Sequence, residues 1–273
     1  MDWIEADWPA PPWVRAISTT RLGGISAGPY AGLNLGDHVG DDPANVAENR
    51  ERLRLELGLP AAPHWLRQVH GCGVAAAHEP SADCEADAMV AWGPGQVCAV
   101  LTADCLPILL CDRAGTRVAA VHAGWRGLVA GVIEAAVGHL ASPPESLLAW
   151  LGPAIGPGAF EVGAEVRERF LEWDGQAEAA LTPRNQGQWL ADLPLLARQR
   201  LARLGVRDVR GEGLCTFQDA GRFYSYRRDG ATGRMANLIW IEPHSAEGSR
   251  FPPPPISTYH AAQFQARDEV NLG

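Results

Sequence analysis

Residues 96–140 read QVCAVLTADCLPILLCDRAGTRVAAVHAGWRGLVAGVIEAAVGHL. The stretch 96–112 is too long, and too interrupted by Pro107, for one strand. It predicts two short buried strands with a bend around Thr102–Pro107. RVAAVH, 117–122, predicts a further strand and 128–140 a helix. Between that strand and helix lies VHAGWRG, 121–127, which puts His122 at a strand end beside two glycines. Loops at the carboxyl ends of strands are where open α/β sheets place their chemistry. A turn that needs glycine and happens to carry a histidine is the plain alternative.

The same alternation extends both ways. Downstream, SLLAWLG (146–152) reads as a strand running into the loop GPAIGPGAFEVG. Helices are expected over 162–173 and over 192–205, the latter capped by Asp192 and stopped by Gly205. VRDVR and RMANLIWIE supply late strands. Upstream, Asp42 and Pro43 open a helix that Gly58 ends. Val46, Leu53 and Leu57 give that helix one buried face. HWLRQVHG (64–71) predicts a short strand with His70 at its end, and GVAAAHE and ADAMVAW two more. Residues 17–40 form a long polar, glycine-rich loop. The pattern is α/β or α+β, with residues 1–244 as a single domain. Residues 245–273, with a four-proline run, read as a poorly ordered tail.

Composition excludes several chemistries. All 23 basic residues of the 273 are arginine, so neither a lysine Schiff base nor a Walker A lysine is available. The net charge of −9 argues against a nucleic-acid partner. Any phosphate must be held by arginine forks, backbone N–H groups or a metal. The six cysteines include no C-x-x-C and do not read as a disulfide framework. Neither a signal peptide nor a membrane-spanning run is evident, so a reduced cytoplasmic protein is expected.

Three strand-end segments each offer a metal-ligand residue: His70 in RQVHG, Cys105 in TADCLP and His122 in VHAGWRG. Two imidazoles and a thiolate suit zinc and leave a fourth position for water, whose pKa such a site lowers to about 7. The separations, 35 and 17 residues, match no compact zinc signature. On spacing alone, a buried structural cysteine and satisfied turn histidines stay open.

TTRLGGIS, LNLGDHVGDD, LRQVHG, LTADCLPILLCD, VHAGWRG, LGPAIGPGAFEVG, FYSYRR and GRMANLIWI occur in this order. Together they resemble the YfiH family, whose members carry laccase-domain, polyphenol oxidase and purine nucleoside phosphorylase labels. The resemblance spans roughly residues 13–242 and implies a layered α/β/β/α sandwich with mixed sheets. It implies one metal, usually zinc, on His70, Cys105 and His122. Copper is the alternative ion, because it outcompetes zinc for such ligands. Gly124 and Gly127 would let backbone approach a ligand at the next helix.

The implied activities are phosphorolysis of purine nucleosides (adenosine, inosine, methylthioadenosine) and deamination of adenosine. A bacterial branch is also implicated in peptidoglycan editing, by removal of misplaced L-Ser from a UDP-muramyl precursor. Within the matching motifs, Arg21 and Asn34 are candidates for ribose or phosphate, and Arg126, Arg227 and Arg228 for phosphate. Each could equally brace its own loop. Glu161 is the candidate general acid or base, with a dipole-favoured helix-terminal Glu as its alternative. Asp104 would orient a ligand or cap the bend. Cys72 departs from the usual family residue.

Two other classes stand beside this reading. One is a metal-free cysteine hydrolase or deamidase using Cys105 with His122 or His70 as base. The other is a metal-stabilised scaffold. A four-copper oxidase is excluded, since the eight histidines include no H-x-H pair.

Overall fold

The computed structural model describes residues 1–78, 84–211 and 213–243. The expected tail over 245–273, and the boundary before it, lie outside the described residues.

The decisive stretch forms β5 (Val97–Thr102), β6 (Leu106–Asp112) and β7 (Arg117–Ala123). The bend between the first two is Ala103–Cys105, and Pro107 lies inside β6. The expected helix over 128–140 is two helices, α2 (Trp125–Ala130) and α3 (Val132–Leu140). Gly131 separates them at φ +90°, a left-handed conformation that ends one helix and starts the next.

Upstream lie β1 (Trp3–Glu5), β2 (Val14–Thr19), α1 (Pro43–Glu56), β3 (Val74–Ala76) and β4 (Ala88–Trp92). Downstream come β8 (Leu147–Leu151), β9 (Glu161–Val162), α4 (Ala164–Trp173), β10 (Leu181–Pro183) and β11 (Trp189–Ala191). The series closes with α5 (Leu193–Leu204), β12 (Asp208–Arg210), α6 (Tyr226–Asp229) and β13 (Met235–Ile241). The expected caps form: Asp42 accepts from Ala44 N at 2.9 Å, Asp192 accepts from Leu195 N at 2.9 Å, and Gly205 closes α5 at φ +95°.

The strands make a six-stranded sheet, β12-β8-β6-β7-β4-β3, a four-stranded sheet, β1-β2-β13-β5, and a small β10-β11-β9 sheet. The large sheet is mixed, parallel at its two edge pairs and antiparallel within. Every residue of β6 is buried, and its alternation sends side chains to two different cores. Leu106, Ile108 and Leu110 meet Ile133, Ala136 and Leu140 of α3 and Leu196 and Leu201 of α5. Leu109 and Cys111 meet Cys98, Val100, Ile239 and Ile241 of the four-stranded sheet. The outer face of that second sheet, with Ile17, Leu101, Leu238 and Trp240, is covered by Leu53 of α1 and by Leu33 and Leu35. The layers therefore run helices, sheet, sheet, helix.

One expected strand is absent. Residues 64–71 hold a single bridge, Arg67 to Glu85. Side chains tie this segment down instead. The Gln68 amide donates to Leu101 O at 2.8 Å and accepts from Leu101 N at 2.7 Å, covering the free edge of β5.

Candidate metal centre

Antiparallel pairing of β6 with β7 sets Leu106 opposite Ala123 and Pro107 opposite His122. Cys105, the last residue before β6, and His122, near the end of β7, therefore meet at one end of the hairpin. The sheet is mostly antiparallel, so the site comes from this register rather than from a row of parallel carboxyl ends. His70 completes the cluster: one donor atom from each of His70, Cys105 and His122 lies within 4.8 Å of the others. Cys105 Sγ is 3.9 Å from His70 Nε2, and the two imidazoles meet edge to face at 4.8 Å. His122 is buried, Cys105 half-buried and His70 exposed, so the cluster opens to solvent on the His70 side.

Asp87 organises it. The carboxylate is fully buried and accepts backbone N–H bonds from Val69 at 3.2 Å, His70 at 2.9 Å and Gly71 at 2.7 Å. These bonds hold His70 at φ +60°, a left-handed backbone uncommon outside glycine. The same carboxylate is 2.7 Å from His122 Nδ1, and His122 N donates to Asp87 O at 2.7 Å. A carboxylate there fixes the proton on Nδ1 and leaves Nε2 as the donor facing the cluster. Sequence reading missed Asp87. Its only signal is an acid at the mouth of an otherwise apolar strand.

The electrostatics follow from these contacts. Burial pushes the Cys105 thiol up, but the charge and hydrogen bond of His122, then those of His70, overturn this and hold it below the ordinary thiol range. Burial pushes the His122 imidazole down, yet Cys105 and Asp87 together raise it above its ordinary value. Burial also acts against the Asp87 carboxylate, and the His122 and loop N–H contacts outweigh it, holding that carboxyl low. The contacts favour the thiolate form of Cys105 beside a carboxylate-oriented imidazole, a donor set of the borderline-soft kind that zinc and copper take.

The glycines of HAGWRG serve this packing. A Cβ on Gly124 would lie 2.9 Å from Cys105 Sγ and 3.1 Å from His70 Cδ2; one on Gly127 would lie 3.0 Å from Gly71 O. Both glycines make room for the cluster and its loop.

The other candidates fall into two groups. Asn34 is fully buried and all four of its amide valences are taken, by Gly36 O, Asp41 Oδ2, Gly36 N and Arg234 N. It frames the loop and has nothing left for a ligand. Arg21 donates to Ala220 O and Ala31 O and lies over the Tyr224 ring. Arg228 is spent on Asp229 and on the carbonyls of Thr216, Phe217 and Phe223. Asp104, at φ +89°, accepts from Thr216 Oγ1 and from Arg227 N, each at 2.7 Å, and so braces the bend that carries Cys105.

Arg227 stands differently. Its Nη1 donates to Glu161 O at 3.0 Å, linking the Asp104 bend to β9. The Glu161 side chain lies outside the three-residue donor group and pairs with Arg184 at 2.6 Å. Arg126 is exposed over the Trp125 ring, with no ion pair among the described residues. All six cysteines are free. No helix among the described residues is long and apolar enough to cross a membrane.

Residues 15–242 match the family described as multi-copper polyphenol oxidoreductase laccase. Among the described residues, a single group of three metal-ligand side chains is present, which does not furnish a four-copper site. The chain is 56% identical over 239 residues to purine nucleoside phosphorylase YfiH of Shigella flexneri, covering 87% of this chain and 98% of that protein. It is 55% identical over 239 residues to the Escherichia coli protein of the same name, with the same coverage. The crystal structure of a Neisseria meningitidis protein superposes with a TM-score of 0.86 at 48% identity, covering 89% of this chain and all of that one. YlmD from Geobacillus stearothermophilus gives 0.81 at 30% identity, over 89% and 97% of the two chains. With the fold, the ordered motifs and the near-complete span in agreement, the chain belongs to the YfiH family of laccase-like proteins.

Proposed function

We propose that this protein is a metal-dependent purine nucleoside phosphorylase that also deaminates adenosine, and that zinc on His70, Cys105 and His122 is its metal. The observation that carries the reading is the convergence of these three side chains, with Asp87 fixing His122. Relatives 56% and 55% identical that bear the phosphorylase name support it. Copper is the second candidate ion for the same donors.

A bound metal ion supplies Lewis acidity toward an oxygen of the substrate or of water. The chain's own residues do the rest. Asp87 keeps the His122 ring in one tautomer and His70 in its left-handed loop. The exposed side of His70 admits substrate. Arg227 and Arg126 have guanidinium N–H groups free for an anion. In phosphorolysis a phosphate oxygen bonds to C1′, the bond from C1′ to the purine nitrogen breaks, and the base leaves with its electron pair and takes a proton. Glu161, tied to Arg227 through its carbonyl, is the carboxylate proposed for proton transfer. In deamination water adds at C6 and ammonia leaves. Removal of L-Ser from a UDP-muramyl precursor is amide hydrolysis at the same place. Methylthioadenosine and inosine are the further nucleosides expected to react.

Product analysis tests this. With adenosine and phosphate, adenine and ribose 1-phosphate are expected; without phosphate, inosine. Cys105→Ala abolishes both. A wild-type protein that leaves adenosine untouched overturns the purine assignment and makes the muramyl-L-Ser amide the next substrate. The low-lying Cys105 thiol favours one rival, a metal-free cysteine hydrolase. Covalent trapping of Cys105 during turnover, with activity indifferent to chelators, would establish that rival instead.

A further inference from the structure

We propose that Arg234, which lies in the GRMANLIWI motif but is not among the phosphate candidates read from the sequence, is the anion-binding residue of this site. It would hold inorganic phosphate beside Cys105. The proposal rests on the phosphorolysis reading and names the phosphate subsite within it.

The sheet register places it. Met235 of β13 pairs with Thr102 of β5, so Arg234 comes level with Ala103, two residues before Cys105. Its backbone is pinned on both sides: its N–H donates to Asn34 Oδ1 at 2.9 Å, and its carbonyl accepts from Leu35 N at 3.2 Å. Its stem fills the space over Gly36, where an added Cβ would come 2.7 Å from Arg234 Cγ. Nη1 is held by Thr232 O at 2.9 Å and Gly233 O at 3.0 Å. A guanidinium this well fixed is preorganised for one ligand geometry.

It nevertheless lacks a counterion. Among the described residues no carboxylate pairs with it, and its Nε and Nη2 make no hydrogen bond. The neighbouring arginines are consumed: Arg50 by Leu35 O and Asp37, Arg21 and Arg228 as described above. Burial works against the Arg234 charge, while the negative groups at Cys105 and Asp104 act to keep it. A half-buried, unpaired guanidinium gains most from a ligand that brings oxygens and negative charge together. Arg227 is anchored to the same bend through its backbone N–H, which donates to Asp104, while its guanidinium donates from Nη1 to Glu161 O. Asn34, read from the sequence as either a substrate contact or a brace of its loop, is a brace that also holds the Arg234 backbone.

The test compares wild type with Arg234→Gln and Arg234→Lys, and with Arg52→Gln on the exposed face of α1 as control. Melting temperature and metal content confirm that each variant is folded and loaded. For Arg234→Gln the phosphate KM is expected to rise about 10-fold or more, the scale of a lost charge-assisted fork. The nucleoside KM should stay within about twofold, and Arg234→Lys should fall between, because a point charge replaces a planar fork. An equal rise in both KM values, or no rise in that for phosphate, overturns the proposal. Calorimetric titration with inorganic phosphate alone separates this from a failure of the function. If wild type makes no ribose 1-phosphate yet binds phosphate, and Arg234→Gln does not, the reaction assignment fails and the subsite stands. Wild type that binds no phosphate, or a glutamine variant that binds it equally, refutes the subsite.

Discussion

The β6–β7 hairpin has two ends, and an aspartate gathers the backbone at each. At the closed end Asp112 accepts from Thr116 N at 2.7 Å, Thr116 Oγ1 at 2.6 Å and Arg117 N at 3.0 Å, all within five residues. At the open end Asp87 does the same for Val69, His70 and Gly71, and adds His122 from 35 residues away. A cysteine lies near each aspartate. Burial pushes the Cys111 thiol far up, whereas His122 and His70 hold Cys105 down. Burial opposes ionisation at both thiols, so the outcome is decided by what else the fold brings in. One end closes a turn and the other gathers metal donors.

Exchanging the two cysteines should expose this contrast most strongly. Cys105→Ser is expected to keep its fold and lose turnover by about 10³-fold or more, the several kcal/mol that a Lewis acid contributes. Cys111→Ser puts a hydroxyl into the dry space between the sheets, costing about 1–3 kcal/mol while activity per folded molecule holds. Denaturant melts and turnover measured on the same samples decide between them. Activity lost at Cys111 rather than Cys105 would reverse the assignment of the two ends.

The aspartates come next. Asp87→Asn should weaken metal binding about 10–100-fold, as loss of an orienting carboxylate does. Asp112→Asn should instead cost about 1–3 kcal/mol of stability and leave metal affinity alone. In the metal-free protein the pair also sets a pH dependence. The lowered Cys105 thiol contributes stability above its unfolded pKa and loses it as pH falls through the folded value. The raised His122 contributes stability below its unfolded pKa and loses it as pH rises through the folded one. Iodoacetamide should therefore alkylate Cys105 with a midpoint well below about 8.5, and Asp87→Asn should move that midpoint up.

Two glycines give the smallest difference in stability and a clear one in function. Gly138→Ala in α3 meets nothing within 4 Å and should stabilise by about 0.5–1 kcal/mol. Gly124→Ala crowds Cys105 Sγ and His70 and should displace the metal with little change in melting. Equal metal occupancy in the two variants would show that Gly124 does not shape the cluster.

Local physics was legible in the residues, and distant physics was not. Asp42, Asp192 and Gly205 cap their helices through neighbours a few positions away, so those helices stand as expected. The alternation in 96–123 was readable because each strand buries both faces. Residues 64–71 read falsely as a strand because what holds them is distant: Gln68 bonds Leu101 33 residues on, and Asp87 takes their N–H groups from 16–18 residues away. Gly131 sat inside an apolar helical pattern, and periodicity carries no sign of a left-handed φ. His70, Cys105 and His122 were legible as one candidate donor set because three strand-end motifs each carry a residue type that binds metals, and the fold brings the three together. Asp87 carries no motif of its own. Arg227 and Arg228 looked equivalent in FYSYRR, yet the fold turns Arg228 onto Asp229 and three carbonyls, while Arg234 has no counterion among the described residues.

The most direct measurement is metal stoichiometry by elemental analysis of protein purified without added chelator, for wild type, Cys105→Ala and Cys111→Ala. One zinc or copper ion per wild-type chain, one in Cys111→Ala and none in Cys105→Ala is the result expected of an open His70–Cys105–His122 centre. Metal retained at full occupancy in Cys105→Ala, or absent from an active wild type, would contradict it.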